Sequence, residues 1–389
     1  MILNSSEKDT LARVNDPLSN RGNFFMRCHI DPQLLFGLIA LMLLSLFILW
    51  SASGQNSDMM LRKCMHTFFS VVIMIVLAQV PPKYFIKVSV YAYILGIVLL
   101  VLVELFGDIS KGAQRWLNLG VIRVQPSEIF KVVMPLTVAA FLSRAPLPPR
   151  TLHTVAAFAI LGAPTALILL QPDLGTACLV AVSGLIAIFL AGLAWWWIVL
   201  GISGAAAALP VRWNFVLHDY QKQRVMTLLD PTSDPLGAGY HIIQSKIAIG
   251  SGGMYGKGWL HGSQSQLDFL PEPHTDFIFA VLSEETGLIG FTVLMLIYCF
   301  ILWRCVIIAL NAADNFGRIL SGAFAFTFMF YIFVNIGMVS GILPVVGVPL
   351  PFVSYGGTAM ITLSISFGII MSIHTHVKVS MFKDNISSR

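Results

Sequence analysis

Residues 33–53 read QLLFGLIALMLLSLFILWSAS, a run of 21 positions without a charged side chain. A transmembrane helix needs about 20 mostly apolar residues to cross the hydrocarbon layer of a bilayer. The run is too long for a secretory signal peptide, and no cleavage site of that kind follows it. We therefore predict that this segment stays in the protein as a membrane span.

The same pattern recurs along the chain. Only 11% of the 389 residues are charged and 57% are hydrophobic, whereas about 25% of the residues in an ordinary soluble domain are charged. This composition excludes a cytosolic protein, and a net charge of +5 does not by itself indicate nucleic acid binding. The sequence predicts an all-α polytopic membrane protein with ten transmembrane helices, the first at 33–53 and the others at about 65–80, 85–107, 129–143, 153–171, 175–193, 195–210, 277–303, 319–340 and 352–374.

The distribution of lysine and arginine predicts the orientation. With both termini in the cytoplasm, short inner segments hold thirteen basic residues and short outer loops hold five, which are Arg62, Lys63, Lys111, Arg115 and Arg123. Cytoplasmic loops carry the excess of basic residues in membrane proteins. We therefore expect cytoplasmic tails at 1–31 and 377–389, on either side of a membrane domain at 32–376.

A long polar segment at 211–275 separates the seventh and eighth predicted spans and is expected to lie outside the cytoplasm. It contains aromatic residues and a glycine cluster at 250–258 that lacks the spacing of a phosphate-binding P-loop. Ordered loops of this length are commonly functional. The segment therefore predicts chemistry or recognition at the outer face of the membrane.

Charged residues close to the spans are candidate functional groups, because charges inside a bilayer are costly. Glu128 and Lys131 are spaced i, i+3 at the start of the fourth span and can form an ion pair on one helix face. Alternatively, Lys131 and Arg115 can offer positive charge to an anionic headgroup. Asp173, in a tight turn between two spans, is favoured as a turn and helix-cap residue.

Asp276 lies where the long loop enters the eighth span. It can cap the helix, but Glu272 and His274 lie within four residues of it at the same membrane surface. Such a cluster can tune the pKa of a general base. Glu284 and Glu285 lie further along the same predicted helix, and Glu284 is expected nearer to the face of Asp276.

Six stretches resemble the signature motifs of the SEDS family (shape, elongation, division and sporulation): WSASG at 50–54, GAQRWL at 112–117, QPSE at 125–128, QPDLGT at 171–176, HTDFIFA at 274–280 and PLPFVSYGG at 349–357. A further stretch, GKGWLHGSQSQ at 256–266, resembles the elongation branch of the family rather than the division branch. The resemblance extends from about residue 30 to residue 377.

The resemblance implies a peptidoglycan glycosyltransferase that polymerises lipid II at the outer face of the bacterial cytoplasmic membrane. It implies a class B penicillin-binding transpeptidase, PBP2, as partner, with MreC, MreD and MreB in the wider elongation complex. The essential acidic residue of the family falls on Asp276, and substrate binding is expected to involve Arg115, Glu128, Lys131, His274 and Thr275. The need for a metal is left open, with a divalent cation, Mg or Mn, as the candidate.

Two other functions fit a helical bundle with charges near the membrane. A flippase that moves lipid II across the bilayer is the main alternative, although no inverted repeat relates the two halves of the sequence. A scaffold that only recruits the transpeptidase is the third, and it would leave the motif around Asp276 without a chemical role.

Overall fold

The computed structural model describes residues 28–110, 113–118, 123–171, 173–211, 222, 226–228, 230, 237–267, 269–270 and 272–387. Most of these residues are helical, which confirms the predicted all-α class. In chain order the elements are α1 Pro32–Ala52, α2 Ser57–Ala78, α3 Pro82–Phe106, β1 Asp108–Ser110, β2 Ala113–Asn118, β3 Arg123–Val124, α4 Pro126–Leu142, α5 Thr151–Leu170, α6 Leu174–Leu190, α7 Trp195–Val211, α8 Ala238–Gly252, α9 Ser263–Gln266, α10 Ile278–Leu310, α11 Asn315–Val339 and α12 Gly357–Ser387.

Each of the ten predicted apolar runs falls on one helix. Seven helices in the described part of the chain are long and apolar enough to cross a membrane: α1, α2, α3, α5, α10, α11 and the 357–376 portion of α12. The helices α4, α6 and α7 have 17 residues each, so the count of ten spans stays a prediction.

Several helix starts follow ordinary capping chemistry: the carboxylate of Asp31 accepts a hydrogen bond from the Leu34 amide at 2.8 Å, with Pro32 in the first turn.

A small antiparallel sheet joins α3 to α4. Its strands lie in the order β1, β2, β3, and Asp108 is opposite Trp116 while Leu117 is opposite Val124. The central strand β2 packs against both α3 and α4. The sheet therefore lies next to the start of α4, where Glu128 and Lys131 are found.

Helices α1 and α10 run antiparallel and are tied together at both ends. At one end, the Arg304 guanidinium forms an ion pair with Asp31 at 2.5 Å. At the other end, the Ser51 hydroxyl donates a hydrogen bond to the Glu285 carboxylate.

Helix α11 is among the most buried helices and packs against α4, α6, α10 and α12. Residues on several of its faces therefore contact different helices of the bundle.

Three predicted boundaries are wrong. Arg62 and Lys63 were expected in an outer loop, but α2 begins at Ser57 and both lie within it. The last predicted span began at residue 352, but residues 350–356 form a non-helical turn, buried at 350–354, and the helix begins at Gly357. The eighth predicted span was continuous, but α10 is broken at Gly287, whose φ of 64° is not helical.

Candidate active site

The backbone around Asp276 is held by two separate elements. The carbonyl oxygens of residues 274–276 each accept one hydrogen bond, from the Tyr355 amide at 2.8 Å, the Ser354 hydroxyl at 2.6 Å and the Asn335 side-chain amide at 3.0 Å, respectively. Phe277 occupies the N-cap position of α10, so Asp276 lies one residue before the cap rather than at it. The segment is therefore rigidly placed at the entrance to the helix.

The Asp276 carboxylate lies beside a glycine turn that also contacts the start of α6. Its Oδ2 is 3.5 Å from the position that a Cβ atom would take on Gly347, which has a φ of 77°. A Cβ atom on Gly175 would come within 3.0 Å of the Val346 carbonyl oxygen, which only glycine avoids. This close approach brings the turn that contains Asp173 against residues 346–347, which also lie beside the Asp276 carboxylate.

Asp173 is the N-cap residue of α6, as predicted. Its Oδ1 accepts a hydrogen bond from the Thr176 amide at 3.2 Å, and its Oδ2 accepts one from the Gln125 side chain at 3.3 Å. Gln125 immediately precedes α4. The cap therefore joins the beginnings of α4 and α6.

Glu128 and Lys131 form the ion pair that their spacing allows. Both side chains are buried, with 9% and 7% of their surface exposed. The Lys131 ammonium also lies 5.6 Å from the centre of the Tyr331 ring. Because a buried charge requires a partner, the pair explains how Lys131 is tolerated at this depth, and a role toward substrate stays a prediction.

One face of α11 contacts both Lys131 and the backbone of Asp276. Tyr331 contacts Lys131, and Asn335, four residues later on the same face, donates to the carbonyl oxygens of Asp276 and Val348 at 3.0 and 2.7 Å. Two residues singled out from separate motifs, Lys131 and Asp276, are therefore contacted from successive turns of one buried helix. Their roles in a reaction stay a prediction.

Two of the other predicted site residues, His274 and Thr275, have described side chains, and a role of any of them in binding substrate stays a prediction. The His274 ring lies 6.1 Å from the Tyr355 ring, in an edge-on arrangement. The Thr275 hydroxyl donates to Glu272, within the same turn. Arg115 lies in β2, but its side chain is outside the described part of the structure.

Asn335 and Ser354 were not singled out from the sequence. The sequence does contain a signal for Asn335, because it is a polar amide inside the apolar run of α11. The structure shows that Asn335 is fully buried, and buried polar groups are generally hydrogen-bonded. Ser354 lies in one of the motifs quoted above, but nothing in its local sequence indicates that its partner is Thr275.

Glu284 holds the glycine-rich loop rather than the surroundings of Asp276, whereas the Glu285 carboxylate binds Ser51 of α1. Glu284 is fully buried and accepts hydrogen bonds from the Lys257 ammonium at 2.8 Å, the Ser263 hydroxyl at 3.1 Å and the Gln264 amide at 2.9 Å. The loop also crosses the break in α10, where the Leu288 amide donates to the Gly253 carbonyl at 3.0 Å. Both carboxylates are therefore bound by groups of the protein itself.

We predict that Glu284→Ala destabilises the protein by about 3 kcal/mol, because it leaves Lys257 and buried amides without their acceptor. Glu104→Ala is the matched control, since Glu104 is an exposed carboxylate near the end of α3, and its effect should be close to zero. Thermal unfolding of the purified proteins in detergent measures both. Equal melting temperatures for the two variants would show that Glu284 does not anchor the loop.

Comparison with known proteins places this site in a family. A family model described as "Cell cycle protein", for FtsW, RodA and SpoVE, matches residues 26–379. The chain is 56% identical over 360 residues to the peptidoglycan glycosyltransferase MrdB of Escherichia coli K12, covering 92% of this chain and 97% of MrdB. It is 35% identical over 280 residues to the stage V sporulation protein E of Bacillus subtilis, covering 71% of this chain and 75% of that protein.

Solved structures show the same fold. A chain from the structure described as "Structural coordination of polymerization and crosslinking by a peptidoglycan synthase complex" superposes with a TM-score of 0.78 at 28% identity, over 88% of this chain and 97% of that one. The rod shape determining protein RodA of Thermus thermophilus superposes with a TM-score of 0.67 at 26% identity, over 88% of this chain and 96% of RodA. The chain therefore belongs to the FtsW, RodA and SpoVE family of cell cycle proteins, which is the SEDS family that its motifs resemble.

Proposed function

We propose that this chain is a peptidoglycan glycosyltransferase of the bacterial cytoplasmic (inner) membrane, which polymerises lipid II at the outer face of that membrane during cell elongation. The observation that supports the proposal is that Tyr331 and Asn335, at successive turns of α11, contact Lys131 and the backbone of Asp276, respectively. Similarity to MrdB over nearly the whole length of both proteins supports the same activity.

The proposed reaction joins two lipid-linked disaccharides. Asp276 removes the proton from a sugar 4-hydroxyl as that oxygen attacks the anomeric carbon of the second molecule, and undecaprenyl pyrophosphate leaves. General base catalysis of this kind contributes about 10²- to 10⁴-fold to the rate. Lys131, with Arg115 from β2, stabilises the negative charge that develops on the leaving pyrophosphate.

A divalent cation is a proposed addition to this site. Among the described residues, no group of three or more His, Cys, Asp and Glu side chains can hold a metal ion. Mg commonly binds through one or two carboxylates together with substrate phosphates and water. A Mg or Mn ion here would be held mainly by the pyrophosphate oxygens and water and would add positive charge there, while Asp276 keeps its role as general base.

The proposed partner is a class B penicillin-binding transpeptidase, PBP2, with MreC, MreD and MreB as members of a wider complex. Similarity to a chain of a peptidoglycan synthase complex supports a transpeptidase partner. A polymerase that works beside its cross-linking enzyme needs its site on the outer face, where the long loop is expected.

We predict that cysteine labelling places the 237–267 part of the long loop outside the cell. Tyr255 is 80% exposed, so Tyr255→Cys should react with a membrane-impermeant maleimide in intact spheroplasts. The background lacks the five native cysteines, which are Cys28, Cys64, Cys178, Cys299 and Cys305.

The matched control is Ala313→Cys, an exposed position in the short turn between α10 and α11, which is expected on the cytoplasmic face. It should react only after the membrane is permeabilised. The reverse pattern of reactivity would overturn the orientation derived from the lysine and arginine count.

The flippase alternative is separated from the polymerase in proteoliposomes that hold fluorescent lipid II. We expect glycan chains to form from the lipid II in the leaflet that faces the site. A membrane-impermeant quencher should show transbilayer movement no faster than in protein-free liposomes. Rapid movement of lipid II without any polymer would favour the flippase.

A further inference from the structure

Lys63 is a buried lysine whose ammonium is bound entirely by backbone carbonyls. It lies in α2 with 1% of its surface exposed. Its Nζ donates to the carbonyl oxygens of Phe352, Val353 and Ser354 at 3.0, 3.3 and 2.8 Å. A lysine ammonium has three donors, so its hydrogen-bonding capacity is used. Lys63 forms no ion pair with a carboxylate in the part of the chain that the structure describes, and it is not available to bind a substrate phosphate.

The turn that Lys63 binds has carbonyl oxygens whose donors come from other parts of the chain, although its amides are partly satisfied within the turn. Residues 350–354 are buried and non-helical, and Phe352 has a φ of 60°, a left-handed conformation that is unusual for a bulky side chain. Buried carbonyls outside regular secondary structure require donors from elsewhere. Tyr298 supplies one to Pro351 at 2.8 Å and Ser45 supplies one to Val353 at 2.9 Å, but Lys63 alone bridges three successive carbonyls.

The same turn supports the segment that carries Asp276. The Ser354 hydroxyl accepts from the Leu350 amide at 2.8 Å and donates to the Thr275 carbonyl at 2.6 Å. The next residue, Tyr355, donates its amide to the His274 carbonyl at 2.8 Å. The carbonyl of Ser354 is bound by Lys63, so a continuous chain of hydrogen bonds runs from the ammonium to the residue before Asp276.

We propose that Lys63 is a positioning residue for the glycosyltransferase reaction, which acts through the 350–355 turn to hold Asp276 in place. The inference rests on the proposed function, because it gives Asp276 the role of general base. In this proposal the buried Lys63 ammonium fixes the conformation of the turn, and the turn fixes the position of the general base. A small displacement of a catalytic group can cost about 100-fold in rate.

The test compares Lys63→Met, Ser354→Ala and the double variant in polymerisation of fluorescent lipid II, with wild-type activity as the reference. Lys63→Met keeps the length of the side chain and removes its donors, so kcat should fall about 10- to 100-fold while KM changes less than about threefold. The double variant should be no slower than the slower single variant, because both substitutions break one connection. Lys87→Met, which removes an exposed lysine near the start of α3, is the control and should keep wild-type kcat.

Hydrogen exchange separates positioning from general stability. In Lys63→Met, peptides that contain residues 272–278 and 350–356 should exchange faster, while α5 and α6 should exchange as in the wild type. A folded Lys63→Met variant with wild-type kcat would overturn the inference, as would additive losses in the double variant. If Lys63→Met does not fold, the kcat of Ser354→Ala tests the inference instead. A wild-type kcat in Ser354→Ala would overturn the inference. A wild-type protein without activity would instead contradict the proposed function.

Discussion

Asp276→Asn is expected to abolish polymerisation of lipid II while leaving the protein folded. The substitution keeps the size and hydrogen-bonding shape of the side chain but removes the basic oxygen that would take the sugar proton, and the expected loss is at least about 100-fold. The contacts that place the segment use the main-chain carbonyls of residues 274–276, which the substitution does not change. Gel analysis of products from fluorescent lipid II measures the rate.

Asp58→Asn is the matched control for this prediction. Asp58 is an exposed aspartate in the first turn of α2, and the same chemical change there should leave activity within about twofold, as for most surface substitutions. Both variants should keep the melting temperature of the wild type and its association with the transpeptidase. A near wild-type ladder of glycan products from Asp276→Asn would show that Asp276 is not the general base.

The second large effect is expected from exchanging the charges of the buried pair. Either single change, Glu128→Lys or Lys131→Glu, leaves two like charges together in a buried site. Breaking a buried pair on one side typically costs about 3 to 5 kcal/mol, so the single variants can fail by unfolding alone. The double variant restores a pair of opposite charges in reverse order.

We predict that the double variant folds but does not polymerise lipid II. The positive charge would leave position 131, where it contacts Tyr331, and the charge presented to the leaving pyrophosphate would be inverted. Thermal unfolding reports on the fold and the gel assay reports on the reaction. Recovery of activity in the double variant would assign Lys131 a structural role only.

The spans could be predicted from the sequence because burial in lipid imposes a simple rule on composition. Every apolar run corresponds to a helix, since the backbone in a bilayer must satisfy its own hydrogen bonds. The rule fails where charge or backbone conformation departs from it. Lys63 resembled a loop residue because of its charge, whereas carbonyl oxygens from the 350–355 turn allow it to lie inside the bundle.

Candidate site residues can be chosen from the sequence, whereas the contacts between them cannot. Asp276, Glu128 and Lys131 could be identified from charge and position near the spans. Their connection through α11 could not, because Asn335 is 59 residues from Asp276 in the chain and Ser354 is 79 residues from Thr275. Contacts over such distances depend on how the helices pack, which local sequence does not specify.

The prediction for Glu284 and Glu285 was incomplete for a related reason. It assumed a continuous helix, so that the angle between residues along α10 gave the direction of each carboxylate. Asp276 lies before the start of α10, and Gly287 breaks the helix just beyond the two glutamates. The loop at 253–266 packs across that break and supplies the partners of Glu284.

The most direct measurement is the size of the products that the purified chain makes from labelled lipid II in detergent, with and without its transpeptidase. Detergent removes the bilayer, so movement of lipid between leaflets cannot contribute to the result. We predict a ladder of glycan chains that depends on this protein and is retained when the transpeptidase active site is blocked. Unchanged lipid II in every lane, with folded protein and its partner present, would contradict it.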